Sequence, residues 1–104
     1  MIMAKLFAVY RQPKDPAAFD AYYFGKHVPL AKTIPGLRSD EVTRGDVMGM
    51  EGKHPVYLVA ILEFDSMESM GAAMASPQGQ ATAADLANFA SAGVDVMMGN
   101  TMMV

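Results

Sequence analysis

The chain has 104 residues, which is the length of one domain, and 52% of them are hydrophobic and 18% charged, which excludes a disordered protein. The formal net charge is -3 and no run of Lys or Arg occurs, so the charge pattern of a nucleic-acid-binding protein is missing. The chain contains no cysteine, which excludes a disulfide framework and a thiol nucleophile.

No segment of the sequence predicts a membrane span. The longest strongly apolar run, Val56 to Leu62, is far shorter than the roughly 20 residues that such a helix needs. The opening segment is interrupted by Lys5 and Arg11, which is not typical of a signal peptide. We therefore expect a cytoplasmic protein that does not bind membranes.

The first third of the chain predicts a strand followed by a helix. Residues Ile2 to Tyr10 are apolar and bulky, as is typical of a strand. Asp15 is placed to cap a helix that has Pro16 at its first position, and Pro35-Gly36 ends that helix. The spacing of its large side chains predicts one buried face, which carries Phe19, Tyr23, His27, Leu30 and Ile34.

The remaining segments predict three strands and two helices. The polar stretch from Leu37 to about Met48 predicts an edge strand, and the segments Val56 to Phe64 and Val94 to Val104 predict two further strands. Asp65-Ser66 and Ser76-Pro77 each start a helix by capping. Met67, Met70 and Met74 are predicted to share one stripe of the first helix, and the buried edge of the second helix is predicted to be Leu86, Phe89 and Ala90.

This order of elements predicts an α+β, ferredoxin-like split βαβ fold, with an antiparallel sheet and with helices on one face. The strand at 56–64 is apolar on both faces, since Leu58, Ala60 and Leu62 alternate with Tyr57, Val59 and Ile61. The helices can cover only one of these faces. We therefore expect a homodimer joined through its sheet faces.

The sequence "GKHVPL" predicts that His27 lies at a break in the first helix. Pro29 cannot donate to the carbonyl of Gly25, so we expect the helix to kink or restart there, with Val28 outside helical angles. The resulting gap and its apolar setting favour neutral imidazole, the form that accepts a proton. His27 is the candidate general acid or base. The alternative is a core histidine bonded to a backbone carbonyl.

Three further side chains are candidates for the same site. Asp85 either is a solvated charge on the last helix or faces the cleft and orients His27 or a ligand. Tyr23 and Tyr57, with Tyr10, are placed to line a pocket for a small apolar ligand, and ordinary core packing is the alternative for all three.

The sequence predicts no metal site and no cofactor. The two histidines, His27 and His54, have no HxH or HxxxH spacing, and neither nucleotide-binding glycine motifs nor GxSxG occur. We expect His54, beside Pro55, to be an exposed loop residue. The 11 methionines are more typical of core and interface packing than of heme ligation.

Two blocks of the sequence carry motifs that occur together. The stretch "VYRQPKDPAAFDAYYFGKHVPLAKTIPGL" contains a strand ending in Tyr-Arg, then Phe-Asp-x-Tyr-Tyr, His-x-Pro-Leu and Pro-Gly-Leu. The stretch "FDSMESMGAAMASPQGQATAADLANFA" contains Phe-Asp-Ser, a Ser-Pro-x-Gly turn and an Asp-Leu-x-Asn-Phe helix. The two blocks cover more than half of the chain and resemble the EthD-like family.

The resemblance implies that residues 1–104 form a single EthD-like domain of the dimeric α+β barrel superfamily. It matches His27 to the family's histidine and Asp85 to the aspartate of its second block. It implies a small-molecule enzyme or accessory factor in the catabolism or modification of an ether, aromatic or polyketide-type compound, as in ethyl tert-butyl ether degradation. The related barrels include oxidoreductases (cofactor-free monooxygenases), isomerases and dehydratases. The alternatives are a non-catalytic ligand-binding barrel and heme binding through His27.

Overall fold

In a computed structural model, which describes residues 2–104, the chain forms a four-stranded antiparallel sheet with helices on one face. The strands of this sheet are β1 (Ile2–Arg11), β2 (Ser39–Val42), β5 (Val56–Phe64) and β6 (Val94–Met102), in the order β2-β5-β1-β6. Two short strands, β3 (Met48–Gly49) and β4 (Gly52–Lys53), form a separate hairpin. The sheet has the ferredoxin-like strand order, which confirms the predicted fold class.

The helical layer contains three helical segments. The first has three consecutive parts, α1 (Pro16–Tyr22), a π-helical turn (Tyr23–His27) and α2 (Val28–Ala31), and it is followed after β5 by α3 (Met67–Ala75) and α4 (Pro77–Phe89). The predicted caps are confirmed, because the side chains of Asp15, Ser66 and Ser76 each accept a hydrogen bond from a backbone N–H of the first turn. Within residues 2–104, none of the helices is long and apolar enough to cross a membrane.

The first helical segment does not break at Pro29. Val28 keeps helical angles, with φ -60° and ψ -48°, and its N–H donates to the carbonyl of Tyr23, five residues earlier. The predicted non-helical conformation of Val28 is therefore wrong, and the irregularity predicted beside Pro29 takes the form of the π turn that precedes it. The π turn inserts one residue into the helical repeat, so the helix accommodates the missing N–H of Pro29 without leaving helical angles.

The inserted residue changes which side chains face the sheet. His27 and Ile34 are buried as predicted, but Leu30 is only partly buried and Ala31 takes its place in the core. A π turn shifts the phase of the following helix by about one position, which accounts for this exchange. The small side chain of Ala31 leaves free volume beside His27.

The core lies between the sheet and the helices. Alternate residues of β1 and β5 face the helices and are buried, as the alternation predicts, and they include Leu6, Ala8, Tyr10, Leu58, Ala60 and Leu62. The rings of Tyr10, Phe19, Tyr23 and Phe89 contact one another, with centroid separations of 5.4 to 5.8 Å. Such edge and offset contacts add to the stability gained from burial.

The helices do not extend over the edge strand β6. Val96 and Met98 are on its helix side and are 45% and 56% exposed. The described residues span 35 × 34 × 17 Å, and the shortest dimension corresponds to one helical layer on one sheet. Within residues 2–104, nothing covers the opposite face of the sheet. Two predicted strands are shorter in the structure, since β2 is confined to Ser39–Val42 and β6 ends at Met102.

The corner between α3 and α4 leaves no room for a side chain at Gly79. A methyl group at this position would overlap the backbone oxygen of Ala73 and lie 2.6 Å from the Cα of Met74. We expect Gly79→Ala to lower the free energy of unfolding by about 1 to 3 kcal/mol, the usual cost of overpacking, in urea titrations. Gly71→Ala in α3 is the matched control, because no atom lies within 4 Å of its added methyl group and helix propensity should raise stability. A similar effect of both substitutions would contradict this assignment.

Candidate functional site

A cavity of about 240 Å³ lies between the sheet and the helices. Its floor consists of helix-facing side chains of the sheet, namely Leu6, Ala8, Ala60, Leu62 and Val96. Its walls consist mainly of helical side chains, namely Ala31, Met74, Thr82, Ala83 and Leu86. Several of these residues are alanines, and small side chains facing one another leave the space that larger ones would fill. The cavity opens beside β6, where Val96 is 45% exposed.

Four polar side chains besides Thr82 line this otherwise apolar cavity, and they are Tyr10, Tyr23, His27 and Asp40. His27 is 6% exposed, and the two tyrosines are each 2% exposed. The hydroxyl of Thr82 is satisfied within its own helix, since it donates to the backbone carbonyl of Gln78 at 2.8 Å. The other four side chains therefore determine the polarity that a ligand meets.

His27 is held by Asp85. The distance between its Nδ1 atom and the Oδ2 atom of Asp85 is 2.9 Å, and the two side chains are 7% and 11% exposed. A carboxylate has only acceptor atoms, so Nδ1–H donates this hydrogen bond. In neutral imidazole, the other nitrogen, Nε2, then carries the lone pair. Because His27 also lines the cavity, Nε2 is the nitrogen available to a ligand.

Two further donors fix the Asp85 carboxylate. Its Oδ1 atom accepts hydrogen bonds from the Tyr22 hydroxyl at 2.6 Å and from the Asn88 side-chain amide at 2.9 Å. Burial raises the pKa of Asp85, but the hydrogen bonds from Tyr22, Asn88 and His27, with the charge of His27, outweigh burial and hold that pKa below its usual value. Asp85 is therefore kept as an anion that orients the imidazole.

Aromatic rings hold the imidazole on two sides. The His27 ring centroid lies 4.6 Å from that of Phe89 and 5.5 Å from that of Tyr23. Phe89 and Asp85 both belong to α4, whereas Tyr23 and His27 are the first and last residues of the π turn. Contacts between these two elements therefore fix both the position and the orientation of the ring, as a preorganised proton-transfer group requires.

Asp40 reaches the cavity from β2, where it pairs with Leu62 of β5. Burial raises its pKa, and the positive charges of His27 and Lys32 oppose this shift in part. The pKa of Tyr10 is also raised, mainly by burial and to a smaller extent by the nearby charge of Asp40. The pKa of Tyr23 is raised by burial, by Tyr10 and by Asp40, so both phenols stay protonated at physiological pH.

Tyr57 does not line this cavity. It is the extra residue of a β-bulge in β5, where the pairing with β1 shifts by one residue, and the bulge directs its side chain toward the helices. Its ring lies 5.2 Å from that of Phe19, and its hydroxyl donates to Asp20 at 2.8 Å. The predicted placement of Tyr57 on the outer face is therefore wrong. It borders a separate depression of about 150 Å³.

The structure thus brings together His27, Tyr23 and Asp85 and leaves Tyr57 elsewhere. Sequence analysis missed Tyr22, Asn88 and Asp40. The first two are positions of the motifs Phe-Asp-x-Tyr-Tyr and Asp-Leu-x-Asn-Phe, but their roles depend on the π turn and on the packing of α4. The exposed position predicted for His54 is confirmed.

Among residues 2–104, no three His, Asp or Glu side chains are grouped in a way that could hold a metal ion.

Comparison with known proteins gives consistent matches over most of the chain. A family model described as the EthD domain matches residues 11–93. An uncharacterized 11.0 kDa protein from the thcB-thcC intergenic region of Rhodococcus erythropolis is 45% identical over 96 residues, or 91% of each chain. The crystal structure of an ethyl tert-butyl ether D (EthD) family protein from Bacillus halodurans is 40% identical, with a TM-score of 0.90 over 96% of this chain and 99% of that one.

Two more distant crystal structures share the fold. A dimeric ferredoxin-like protein of unknown function from Thermobifida fusca is 14% identical, with a TM-score of 0.66 over 98% of this chain and 92% of that one. SnoaB, a cofactor-independent oxygenase from Streptomyces nogalater, is 16% identical, with a TM-score of 0.60 over 98% and 92% of the two chains. At these identities the similarity concerns the fold alone.

The hydrogen bonds of Asp85 predict a pH-dependent contribution to stability. Because the pKa of Asp85 is lowered in the folded chain, the unfolded chain binds this proton more tightly. The contribution is therefore present above the ordinary pKa of aspartate, about 3.9, and is lost as the pH falls through the lower folded value. We expect the difference in free energy of unfolding between the wild type and Asp85→Asn to be largest at neutral pH and to shrink in acid, as measured by urea titrations.

The matched control is Glu51→Gln, which removes an exposed carboxylate. Its effect on the free energy of unfolding should be small and nearly independent of pH. A difference between the wild type and Asp85→Asn that stays constant into acid would contradict the hydrogen-bonded, ionised state of Asp85.

Proposed function

The chain belongs to the EthD family, and we propose that it is a small-molecule enzyme that uses His27 as its general acid or base. One observation carries this proposal, namely that the imidazole lining the apolar cavity is held at 2.9 Å by the largely buried carboxylate of Asp85. This arrangement leaves Nε2 available to take a proton from a ligand and to return it. Asp85 acts through His27, so it is a positioning residue.

The size of the cavity supports a ligand with a single substituted ring. An engineered apolar cavity of about 150 Å³ in another protein binds benzene. The cavity beside His27, at about 240 Å³, has room for such a ring with one or two substituents. We propose a small, mostly apolar aromatic, ether-derived or polyketide-type compound, with Tyr23 as a binding residue. A ligand that contacts Tyr57 would have to occupy the separate depression instead.

The proposed reaction begins with removal of a proton from an acidic carbon atom of the substrate. The proton moves to Nε2 of His27, while the electron pair of the broken C–H bond stays on the substrate as an enolate. Asp85 stabilises the imidazolium formed in this step. Return of the proton to a different carbon atom completes an isomerisation. If the proton passes instead to a hydroxyl group on the neighbouring carbon, the C–O bond breaks, water leaves and a dehydration is complete. A general base of this kind typically accelerates a reaction 10² to 10⁴-fold.

We propose that these steps need neither a metal ion nor an organic cofactor. An enolate that reacts with O₂ as a co-substrate would give oxygenation instead, and the likeness to SnoaB, a cofactor-independent oxygenase, supports that route. Heme binding is less well supported, because a porphyrin is far larger than the single ring that fits this cavity and because Tyr23 and Phe89 pack against His27.

We further propose a cytoplasmic homodimer, joined through the outer sheet faces as a dimeric α+β barrel. The outer face carries Phe7, Val9, Val59 and Ile61, which are half-buried and have no cover within residues 2–104. An apolar face of this kind is typical of a protein interface. The dimeric ferredoxin-like protein of Thermobifida fusca supports this association.

The alternative is a non-catalytic ligand-binding barrel, in which His27 only connects the π turn to α4. The close packing of His27 against Phe89, at 4.6 Å between ring centroids, is compatible with this structural role. In such a protein, small-ring compounds would bind in the cavity without any exchange of their protons. Binding and proton transfer must therefore be measured separately.

Proton transfer can be tested without knowledge of the natural substrate. The wild-type protein in D₂O is incubated with acetophenone, 4-hydroxyacetophenone or cyclohexanone, and incorporation of deuterium beside the carbonyl is followed by NMR. We expect exchange faster than in buffer for at least one ketone that binds. His27→Gln keeps an amide that can donate to Asp85, and we expect it to lower the enzymatic rate at least 100-fold.

The control for this experiment is His54→Gln, which changes the exposed histidine and should leave the exchange rate unchanged. Asp85→Asn should lower the exchange rate while binding of the ketone persists, since it disturbs the orientation of His27 and removes the charge that stabilises its imidazolium. Equal rates for His27→Gln and the wild type, or wild-type binding of all three ketones without exchange, would contradict a catalytic His27.

The proposed interface is tested by a charge on the outer face. Ile61 pairs with Phe7 at the centre of this face. We expect Ile61→Glu to convert the dimer into a folded monomer at micromolar concentration, because a buried unpaired carboxylate is costly in an apolar interface. Sedimentation velocity gives the mass, and circular dichroism shows that the chain is folded.

Met50→Glu, at an exposed position in the small hairpin, is the control and should remain dimeric. A wild-type chain that sediments as a folded monomer would overturn the proposed dimer.

A further inference from the structure

Asp40 differs from the other polar side chains of the cavity. Its Oδ1 atom is buried and has no hydrogen-bond partner among the described residues. Asp85, by contrast, accepts three hydrogen bonds, one of them from His27. The site therefore contains two carboxyl groups with opposite properties, one fully satisfied by the folded chain and one not.

An unsatisfied buried carboxyl group is unfavourable for folding. A polar atom removed from water without a partner costs free energy, and an ionised carboxylate costs more than a neutral group. The raised pKa of Asp40 has the same cause, namely burial. Because the folded chain holds this proton more tightly than the unfolded chain does, the group lowers stability as the pH rises above the ordinary pKa of aspartate. An apolar side chain would suit the fold better at this position.

The position of Asp40 suits contact with a ligand better than packing in the core. Asp40 belongs to the edge strand β2, and its side chain lines the same cavity as His27. Because both side chains line one cavity of about 240 Å³, a single ligand can contact both of them. Asp85 already occupies the Nδ1 side of the His27 ring. A ligand in the cavity therefore has His27 and Asp40 as separate polar contacts.

We propose that Asp40 is a ligand-binding residue whose carboxyl group, which lines the cavity, accepts a hydrogen bond from a hydroxyl group of the ligand. The cavity then selects small single-ring molecules that carry a hydroxyl group, such as phenols and cyclic enols. This inference rests on the proposed function, since it names a substrate class for the same cavity. Rotation about the Cβ–Cγ bond exchanges the two carboxyl oxygens of Asp40, so a ligand hydroxyl would bond to the oxygen that faces the cavity. This bond would fix the orientation of the ring relative to Nε2 of His27.

The choice of a hydroxyl group follows from the surroundings. The floor of the cavity is apolar, so the ring of a ligand gains from burial there while a single polar contact sets its orientation. Tyr10 and Tyr23 are neutral phenols at physiological pH and contribute no negative charge that would attract a cation. The positive charge of Lys32 near Asp40 acts against binding of an ammonium group. A neutral donor therefore fits this site best.

The proposal is tested with two ligands of equal shape, 4-methylphenol and p-xylene, which differ by a hydroxyl in place of a methyl group. Dissociation constants are measured by NMR titration at pH 7. p-Xylene is the more apolar molecule, so burial alone favours it. We expect the wild-type protein to bind 4-methylphenol at least tenfold more tightly. Asp40→Leu keeps the branched shape and removes the acceptor, so we expect it to abolish or reverse this preference.

Glu41→Leu is the matched control, because Glu41 is the exposed neighbour of Asp40 in β2 and should not affect the preference. Asp40→Leu should also raise the midpoint of urea unfolding at pH 7, since it removes an unsatisfied carboxyl group. This second measurement separates loss of binding from loss of folding. Asp40→Asn, which retains a weaker neutral acceptor, should give an intermediate preference.

The proposed role of Asp40 and the proposed role of His27 can be contradicted separately. His27→Gln should keep the preference for 4-methylphenol even though it loses proton exchange. A hydroxyl preference without exchange in the wild type would overturn the proposed catalysis and support the role of Asp40. A wild type that prefers p-xylene, or a preference for 4-methylphenol that survives in Asp40→Leu, would overturn the role of Asp40.

Discussion

The site depends on the buried carboxylate of Asp85 and its three hydrogen bonds. A carboxylate removed from water is tolerated only when donors replace the lost hydration. Tyr22 and His27 supply two of these donors from the first helical segment, and Asn88 supplies the third from α4. The same contacts that satisfy the charge therefore connect two helical segments and fix the orientation of His27. The loss of any one donor would weaken both the packing and the site.

The π turn explains how Tyr22 and His27 reach the same carboxylate. They are five residues apart, and at 3.6 residues per turn such positions point about 140° away from each other in an α-helix. A π turn has i to i+5 hydrogen bonds, which brings residues five apart to the same side. Pro29 has no N–H for the α-helical hydrogen bond, so the wider turn costs less here than elsewhere. The sequence "GKHVPL" thus favours the local geometry that the site requires, although not the break that it suggests.

Features set by neighbours in sequence could be predicted, and features set by tertiary contacts could not. Asp15, Ser66 and Ser76 cap helices through bonds to residues three positions ahead, so their roles follow from local sequence. The bulge at Tyr57 depends on the register between two distant strands, and simple alternation therefore gave the wrong face. The burial of Asp40 depends on where an edge strand meets the cavity, which no local pattern indicates. The importance of Asp85 came from the family resemblance and not from its spacing.

The alternation of β1 and β5 separates the two proposed roles of the sheet. Leu6, Ala8, Ala60 and Leu62 face the helices and form most of the cavity floor, whereas Phe7 and Ile61 lie on the outer face that would contact a second chain. The two faces of the sheet, one lining the cavity and one available to a second chain, are therefore separated only by the backbone of the strands. Each strand must be apolar on both faces. This requirement accounts for a hydrophobic fraction of 52% in so small a domain. It also means that substitutions on the outer face can alter association while the side chains around His27 stay in place.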